Sequence, residues 1–267
     1  MIEKLRPIEQ AQVAAREKLG DMSPRARGEE KAQKALSWVY AWGWSSPSVI
    51  DAIGKNKSGG LCTRLVKAGL LERERTASGG LVPGVPTWVC WLTPMGLDAI
   101  ERFQSRVTDY QFGKIRTDTI RHDFLMQTIT LDRLSDGAIA RYLPPSFMRQ
   151  WSRQGVKQPD CIWVDANERR IGVELELTAK WNRQLDQFVL GIVDALRPPN
   201  DDSKPIYDSA LVLSDSSALL HRYERALQPG RMVPSWQQTR DRKWVEGGKR
   251  AIPDDLPEDA IEFELLS

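Results

Sequence analysis

The sequence predicts an α+β chain in two domains. Residues 29–106 read as three short helices, a β-hairpin and a closing helix, whereas helices and strands alternate from residue 117 onwards. A length of 267 residues, with 41% apolar and 28% charged content, is enough for two ordinary cores. Such a composition belongs to globular rather than disordered chains. No apolar run reaches about eighteen residues, so no membrane partner is expected. The charged, amphipathic start "MIEKLRPIEQAQVAAREKLG" lacks the apolar centre of a secretory signal. Cys62, Cys90 and Cys161 lie far apart in apolar settings, which fits buried thiols of a reducing cytoplasm rather than a disulfide frame or a zinc site. A cytoplasmic location is therefore expected.

Residues 1–28 read as an N-terminal helix and a Pro/Arg/Gly hinge, "GDMSPRARGEE". The first helix of the domain follows in "EEKAQKALSWVYAWG", with Ala35, Leu36, Val39 and Tyr40 at helical spacing on an apolar face. In "SSPSVIDAIG", Ser46 suits an N-cap, Pro47 the first helical position and Gly54 the end. "NKSGGLCTRLVKAGLLERER" supplies a third helix with Leu61, Leu65 and Val66 inward. "LLERER" and "TWVCWLTP" then form a hairpin around a Gly/Pro-rich tip, and "MGLDAIERF" closes the domain.

Three helices and a hairpin in this order make a winged helix-turn-helix, whose third helix enters the DNA major groove. The phrase "WLTPMGLDAI" resembles the second wing strand and following helix of many winged-helix proteins. Lys55, Lys57, Ser58, Thr63, Arg64 and Lys67 around the third helix, and Arg73 and Arg75 at the wing base, are the residues expected to meet double-stranded DNA. Residues 1–106 carry 16 Lys/Arg against 11 Asp/Glu, and the remainder 22 against 25. That asymmetry favours a polyanion partner for the first part over a purely protein-binding use of the same fold.

Residues 107–267 begin with a helix, "TDTIRHDFLMQTITLDRL", and a strand, "GAIARYLPP". "DCIWV" and "RIGVELELT" make a hairpin, followed by the helix "RQLDQFVLGIVDAL", the buried strand "YDSALVLSD" and the helix "SSALLHRYERAL". The acidic tail "PDDLPEDAIEFELLS" has two readings, an edge strand over 260–265 or a partner-binding segment. No Gly-rich loop has nucleotide-binding spacing. Most of the ten tryptophans read as core, with Trp151 and Trp181 flanking the acidic patch described next.

Two glutamates stand inside an apolar strand. Alternation puts Glu174, Glu176 and Thr178 on one face, with Val173, Leu175 and Leu177 opposite. A turn of Ala166, Asn167 and Glu168 centres the hairpin on Asn167 and sets Asp160 beside Glu174, Cβ atoms roughly 5 Å apart. Such a cluster is relieved by protonation, by a basic partner or by a hard cation such as Mg²⁺ or Mn²⁺. The bland alternative has the glutamates facing solvent, paired with Arg169 or Arg170.

Pro159-Asp160 with Glu174-Leu175-Glu176, in a helix–strand–strand–strand–helix–strand frame, resembles the PD-(D/E)XK restriction-endonuclease-like superfamily. The resemblance implies metal ligation by the aspartate and the acidic residue of the third strand. Here Glu176 stands where that family carries its lysine, so either Lys180 reaches back from the strand end or the site is purely acidic. The winged helix followed by "RHDFLMQ", "QPD" and "ELELTAK" resembles, over residues 30–228, the replication-relaxation group and its MobC-type plasmid mobilisation relaxases. That likeness implies a relaxase-like endonuclease that nicks one strand at an origin of transfer beside conjugation or relaxosome proteins. Asp160, Glu174 and Glu176 are expected to hold Mg²⁺ or Mn²⁺, with Lys180 and His122 also catalytic. Tyr40, Tyr110, Tyr142, Tyr207 and Tyr223 are conceivable nucleophiles, but with two histidines in the chain no His-rich relaxase site is available and water is preferred. The alternative is a sequence-specific DNA-binding regulator with a non-catalytic nuclease fold.

Overall fold

A computed structural model describes residues 23–55, 59–106, 109–148, 157–197 and 205–266. It is a mixed α+β structure in two compact units, the first drawn from residues up to Lys114 other than Val82–Val85 and Asp109, which group with the chain from Ile115 in the second.

The first unit opens with α1 (Pro24–Trp42), α2 (Pro47–Ile53) and α3 (Leu61–Lys67). Helix α1 starts within the stretch expected to be a hinge. Ser23 caps it by accepting from the Ala26 amide at 3.1 Å, and Pro24 fills a first-turn position that needs no N–H. Ala35, Leu36, Val39 and Tyr40 are buried as their spacing predicts. Ser46 caps α2 from its side chain, and in α3 Leu61, Cys62 and Leu65 face inward, with Cys62 rather than Val66 completing the stripe. Strands β1 (Leu71–Arg75) and β2 (Trp88–Leu92) pair antiparallel, Ser45 adds a bridge to Cys90, and α4 (Pro94–Glu101) follows.

The first unit reaches past residue 106 because Tyr110 is one of its core residues. The Tyr110 hydroxyl donates to the Gly43 carbonyl at 2.7 Å and accepts from the Leu92 amide at 2.9 Å, while its ring stacks on Tyr40. Cys62 and Cys90, distant in sequence, are brought to an Sγ–Sγ separation of 3.4 Å by the packing of α3 on β2.

The second unit contains α5 (Ile120–Ser135), β3 (Arg141–Leu143), α6 (Pro145–Met148), β4 (Cys161–Val164), β5 (Arg170–Leu175), α7 (Asn182–Leu196), β6 (Ser209–Ser214) and α8 (Ser217–Ala226). A hairpin of β7 (Met232–Gln238) and β8 (Trp244–Ala251), then β9 (Ile261–Leu265), complete it. The sheet order is β3-β4-β5-β6-β9, antiparallel through β5 and parallel from there to β9. The tail is thus an edge strand. Its Glu264 forms an ion pair with Arg133 of α5.

Helices α7 and α8 cover one face of the sheet through Phe188, Val189, Ile192 and Tyr223 against Ala210 and Val212. On α5, Thr130 accepts from the indole N–H of Trp163 in β4 at 3.0 Å. Both Val173 and Leu175 and the intervening Glu174 are buried, so β5 is covered on both faces. The β7–β8 hairpin was not anticipated from the sequence.

Candidate functional site

The site is built where β4 begins and β5 ends. Five residues, Asp165 to Arg169, join the strands; the Asp165 amide donates to the Arg169 carbonyl at 3.1 Å, which leaves a three-residue turn, and its Glu168 takes φ 64°, the left-handed position that closes such a hairpin. Asp165 Oδ1 accepts from the Asn167 and Arg169 amides at 2.8 and 2.9 Å. The register that follows pairs Cys161 with Val173 and Val164 with Arg170, the alignment expected from the turn. Asp160 therefore stands at the end of the ladder, its amide donating to the Val173 carbonyl at 2.9 Å. The Leu175 amide returns to Asp160 Oδ2 at 2.8 Å.

His122, in the first turn of α5, locks this corner. Its Nε2 lies 3.1 Å from both Asp160 Oδ2 and the Leu175 carbonyl, and its Nδ1 lies 3.2 Å from Asp123 Oδ1. Thr119 holds Asp123 in turn, donating to Oδ2 at 2.8 Å. Burial alone would lower the His122 pKa. Hydrogen bonds to Asp123 and Asp160, with their charges, outweigh it and lift the group to about 10. Burial likewise opposes ionisation of Asp160, yet the His122 hydrogen bond and the nearby Lys157 hold its carboxyl below the ordinary range. The pair is an imidazolium and a carboxylate.

Each glutamate has its own cation. Glu174 is wholly buried and ion-paired with Lys157. Burial pushes its carboxyl up to about 8 against the pull of Lys157, and Lys157 is held as an ammonium by Glu174 and Asp160 despite desolvation. Glu176, just past the end of β5, is bonded by Lys180 Nζ on one oxygen and by the Tyr223 hydroxyl at 2.9 Å on the other. So Lys180 does reach back, onto Glu176. Both glutamates facing solvent beside Arg169 or Arg170 is ruled out: those arginines pair with Asp259 and Asp208 instead.

The three carboxylates act on one another, Asp160 and Glu176 both raising the Glu174 pKa, and basic side chains relieve their repulsion. Among the described residues, no group of three or more His, Cys, Asp or Glu is arranged as a ready metal cage. Strand β5 ends at Leu175, yet the Glu176 amide still donates to the Leu213 carbonyl of β6 at 2.8 Å, and the chain bends away only after it. Thr178 offers its carbonyl to Tyr223, at 3.3 Å. Among the buried polar atoms with no hydrogen-bond partner are Glu174 Oε1, the Tyr207 hydroxyl and Gln158 Nε2. A cavity of about 480 Å³ opens at this corner, lined by His122, Asp160, Lys157, Glu176, Thr178 and Lys180.

No family model, curated protein or solved structure matches this chain.

Three contributors were missed in the sequence. Lys157 lies three residues before Asp160, where "VKQPD" carried the only signal; Asp123 neighbours His122; and Tyr223 arrives from α8 with no local cue. Tyr223 and Tyr207 are buried, and burial raises both phenols above their ordinary range, which removes them as nucleophiles. Tyr40 and Tyr110 are core residues of the first unit. Trp181 is 61% exposed under the Arg222 guanidinium, 3.6 Å from the ring centroid, whereas Trp151 lies outside the described residues.

In the first unit, Thr63, Arg64 and Lys67 share the exposed face of α3, and Lys55 is exposed at the end of α2. Arg73 lies over the Trp88 ring at 4.9 Å, and Arg75 donates to the Gly79 carbonyl at 3.4 Å. Lys57 and Ser58 lie outside the described residues.

Proposed function

We propose that the protein is a metal-dependent DNA strand-nicking enzyme of the relaxase-like endonuclease kind, in which a winged helix selects the site and a PD-(D/E)XK-like unit cuts. The observation that carries this reading is the corner of Asp160, Glu174 and His122 beside an open cavity, in a unit whose order of helix, strand, short helix, strand, strand, helix and strand resembles that superfamily apart from the inserted α6. Mg²⁺ or Mn²⁺ would suit Asp160 and Glu174, since the donors are hard carboxylate oxygens and Glu174 Oε1 is a buried acceptor with no partner. Such an ion supplies a nucleophilic water at neutral pH and neutralises charge on the phosphate.

The chain's own groups have separable tasks. The His122 imidazolium orients Asp160 by hydrogen bonding and keeps it ionised. Lys157 compensates Glu174 from beneath the cavity, and Lys180, with its side chain 29% exposed, would meet a phosphate oxygen while holding Glu176. Thr63, Arg64 and Lys67 on α3, with Arg73 and Arg75, would neutralise backbone phosphates of the duplex. An origin of transfer and the relaxosome proteins around it are the proposed setting, in the cytoplasm.

Relaxation of supercoiled plasmid in Mn²⁺, with and without EDTA, tests the reading. Wild-type protein should nick only with the ion, and Asp160→Asn should reduce the rate by orders of magnitude while duplex binding survives. Duplex binding with no nicking under any divalent ion would replace this reading by a second one. That second reading is a DNA-binding regulator with a non-catalytic nuclease fold, and it is favoured by the lysine partner on each glutamate, which balances the site's charge without a metal.

A further inference from the structure

Residues 231–250 carry six cations, Arg231, Arg240, Arg242, Lys243, Lys249 and Arg250, against Asp241 and Glu246. This is a cationic patch inside the half of the chain with an acidic balance. Two of the six are used internally: Arg250 pairs with Asp194 of α7, and Arg231 donates to the Arg225 carbonyl at 2.8 Å. Arg240, Arg242, Lys243 and Lys249 are exposed and have no acidic partner among the described residues. Three of them crowd the hairpin tip, where Arg242 adopts φ 59°. Like charges held together on a strand pair are unfavourable unless a polyanion meets them.

The ribbon is fixed in place rather than loose. Trp236 donates to Asp186 of α7 at 2.9 Å, and Arg183 of α7 lies over the Trp244 ring at 4.5 Å. Trp244 is nevertheless 41% exposed and stands beside Lys243. Between ribbon and α7 runs a groove of about 690 Å³, lined by Trp236, Trp244, Gln184, Gln187, Lys157 and Lys180. Lys157, Thr178 and Lys180 also line the cavity at Asp160, so groove and cavity meet at these residues.

We infer that the β7–β8 ribbon and this groove hold a single DNA strand that leads to the cavity, with phosphates on Arg240, Arg242, Lys243 and Lys249 and a base stacked on Trp244. A cationic track with a partly exposed indole is the pattern of single-strand binding, because the flat side of a base is available to a tryptophan only when the base is unpaired. This deepens the nicking reading and rests on it for the strand's destination. The binding itself rests on the ribbon.

Anisotropy titration of labelled oligothymidylate in EDTA, at several salt concentrations, is the test. The triple variant Arg240→Glu, Lys243→Glu and Lys249→Glu should weaken binding by more than about a hundredfold and flatten the log–log salt slope by about 0.7 for each phosphate no longer neutralised. Trp244→Ala should weaken it about tenfold, and Trp244→Phe, which keeps a ring, should restore most of the affinity. Duplex affinity should be unchanged in all three variants. The inference is overturned if the triple variant and Trp244→Ala bind oligothymidylate as wild type does, or if duplex and single strand are weakened alike. Displacement of the strand by polyglutamate at equal charge concentration would overturn it too, marking an acidic protein as the partner. With no metal present, failure here leaves the nicking result untouched, and absence of nicking leaves this result standing.

Discussion

Glu174 and Glu176 show how an ion pair reverses the sign of an expectation. Taken as a bare acidic patch, their removal should be neutral or stabilising, because repulsion is relieved. In the structure each is buried with a lysine as its partner, so the double substitution Glu174→Ala with Glu176→Ala leaves Lys157 and Lys180 without that partner. We expect metal-free stability to fall by about 3–5 kcal/mol, measured by urea unfolding. Unchanged stability would show that the lysines find water instead. His122 makes a second prediction. Its folded pKa of about 10 lies above the unfolded value near 6.5, so its contribution is complete below about pH 6.5 and fades as pH rises through 10. Glu174, raised to about 8, acts with the same sign at lower pH, losing stability from its unfolded value of about 4.5 upward. Melting temperature should therefore fall from about pH 6 to about pH 10. His122→Gln should flatten the part above about pH 8, a difference on the order of 2 kcal/mol. A variant that keeps the whole alkaline slope would assign it elsewhere.

Helix α4 shows what an element demands of one residue. Its first turn presses on the turn between α3 and β1, where Thr93 donates to the Gly69 carbonyl at 2.6 Å. A Cβ at Gly96 would lie 2.0 Å from the Leu70 carbonyl oxygen. Gly28, inside α1, has nothing within 4 Å of the same added atom. Gly96→Ala should thus cost about 3 kcal/mol as the helix is pushed away, whereas Gly28→Ala should gain up to about 1 kcal/mol from helix propensity. Thermal melts of the two variants decide it, and equal effects would mean that α4 yields at no cost. The β4–β5 hairpin was legible for the opposite reason. Its register depends on a three-residue turn and on strand alternation, both local, and so Asp160 could be set against Glu174 in advance. Strand β5 could not be ended correctly, because Leu175 and Glu176 continue the alternation without a break in sequence pattern. The chain turns there to meet Tyr223 from α8.

At the scale of the molecule, charge was legible as a total but not as a surface. The acidic balance of the second half conceals the cationic ribbon, since its acids are spent pairing with arginines and lysines elsewhere, at Asp208, Asp259, Glu174 and Glu176. The ribbon itself gave no sign. Strand β8 is exposed along its whole length, so no apolar alternation marks it, and Pro234 and Gly247-Gly248 read as breakers. Only the seating of Trp236 and Trp244 on α7 makes it a strand pair. The sequence by itself determined the α+β class, the helix caps, the apolar faces and the hairpin register, because each follows from backbone geometry and periodicity over a few residues. Tertiary structure alone decided that Lys157 neutralises Glu174, that Tyr110 belongs to the first core, that Cys62 meets Cys90, and that Glu176 is held by Lys180 and Tyr223. Those outcomes depend on which distant side chains share a low-dielectric interior, and a buried charge takes whichever partner the packing delivers.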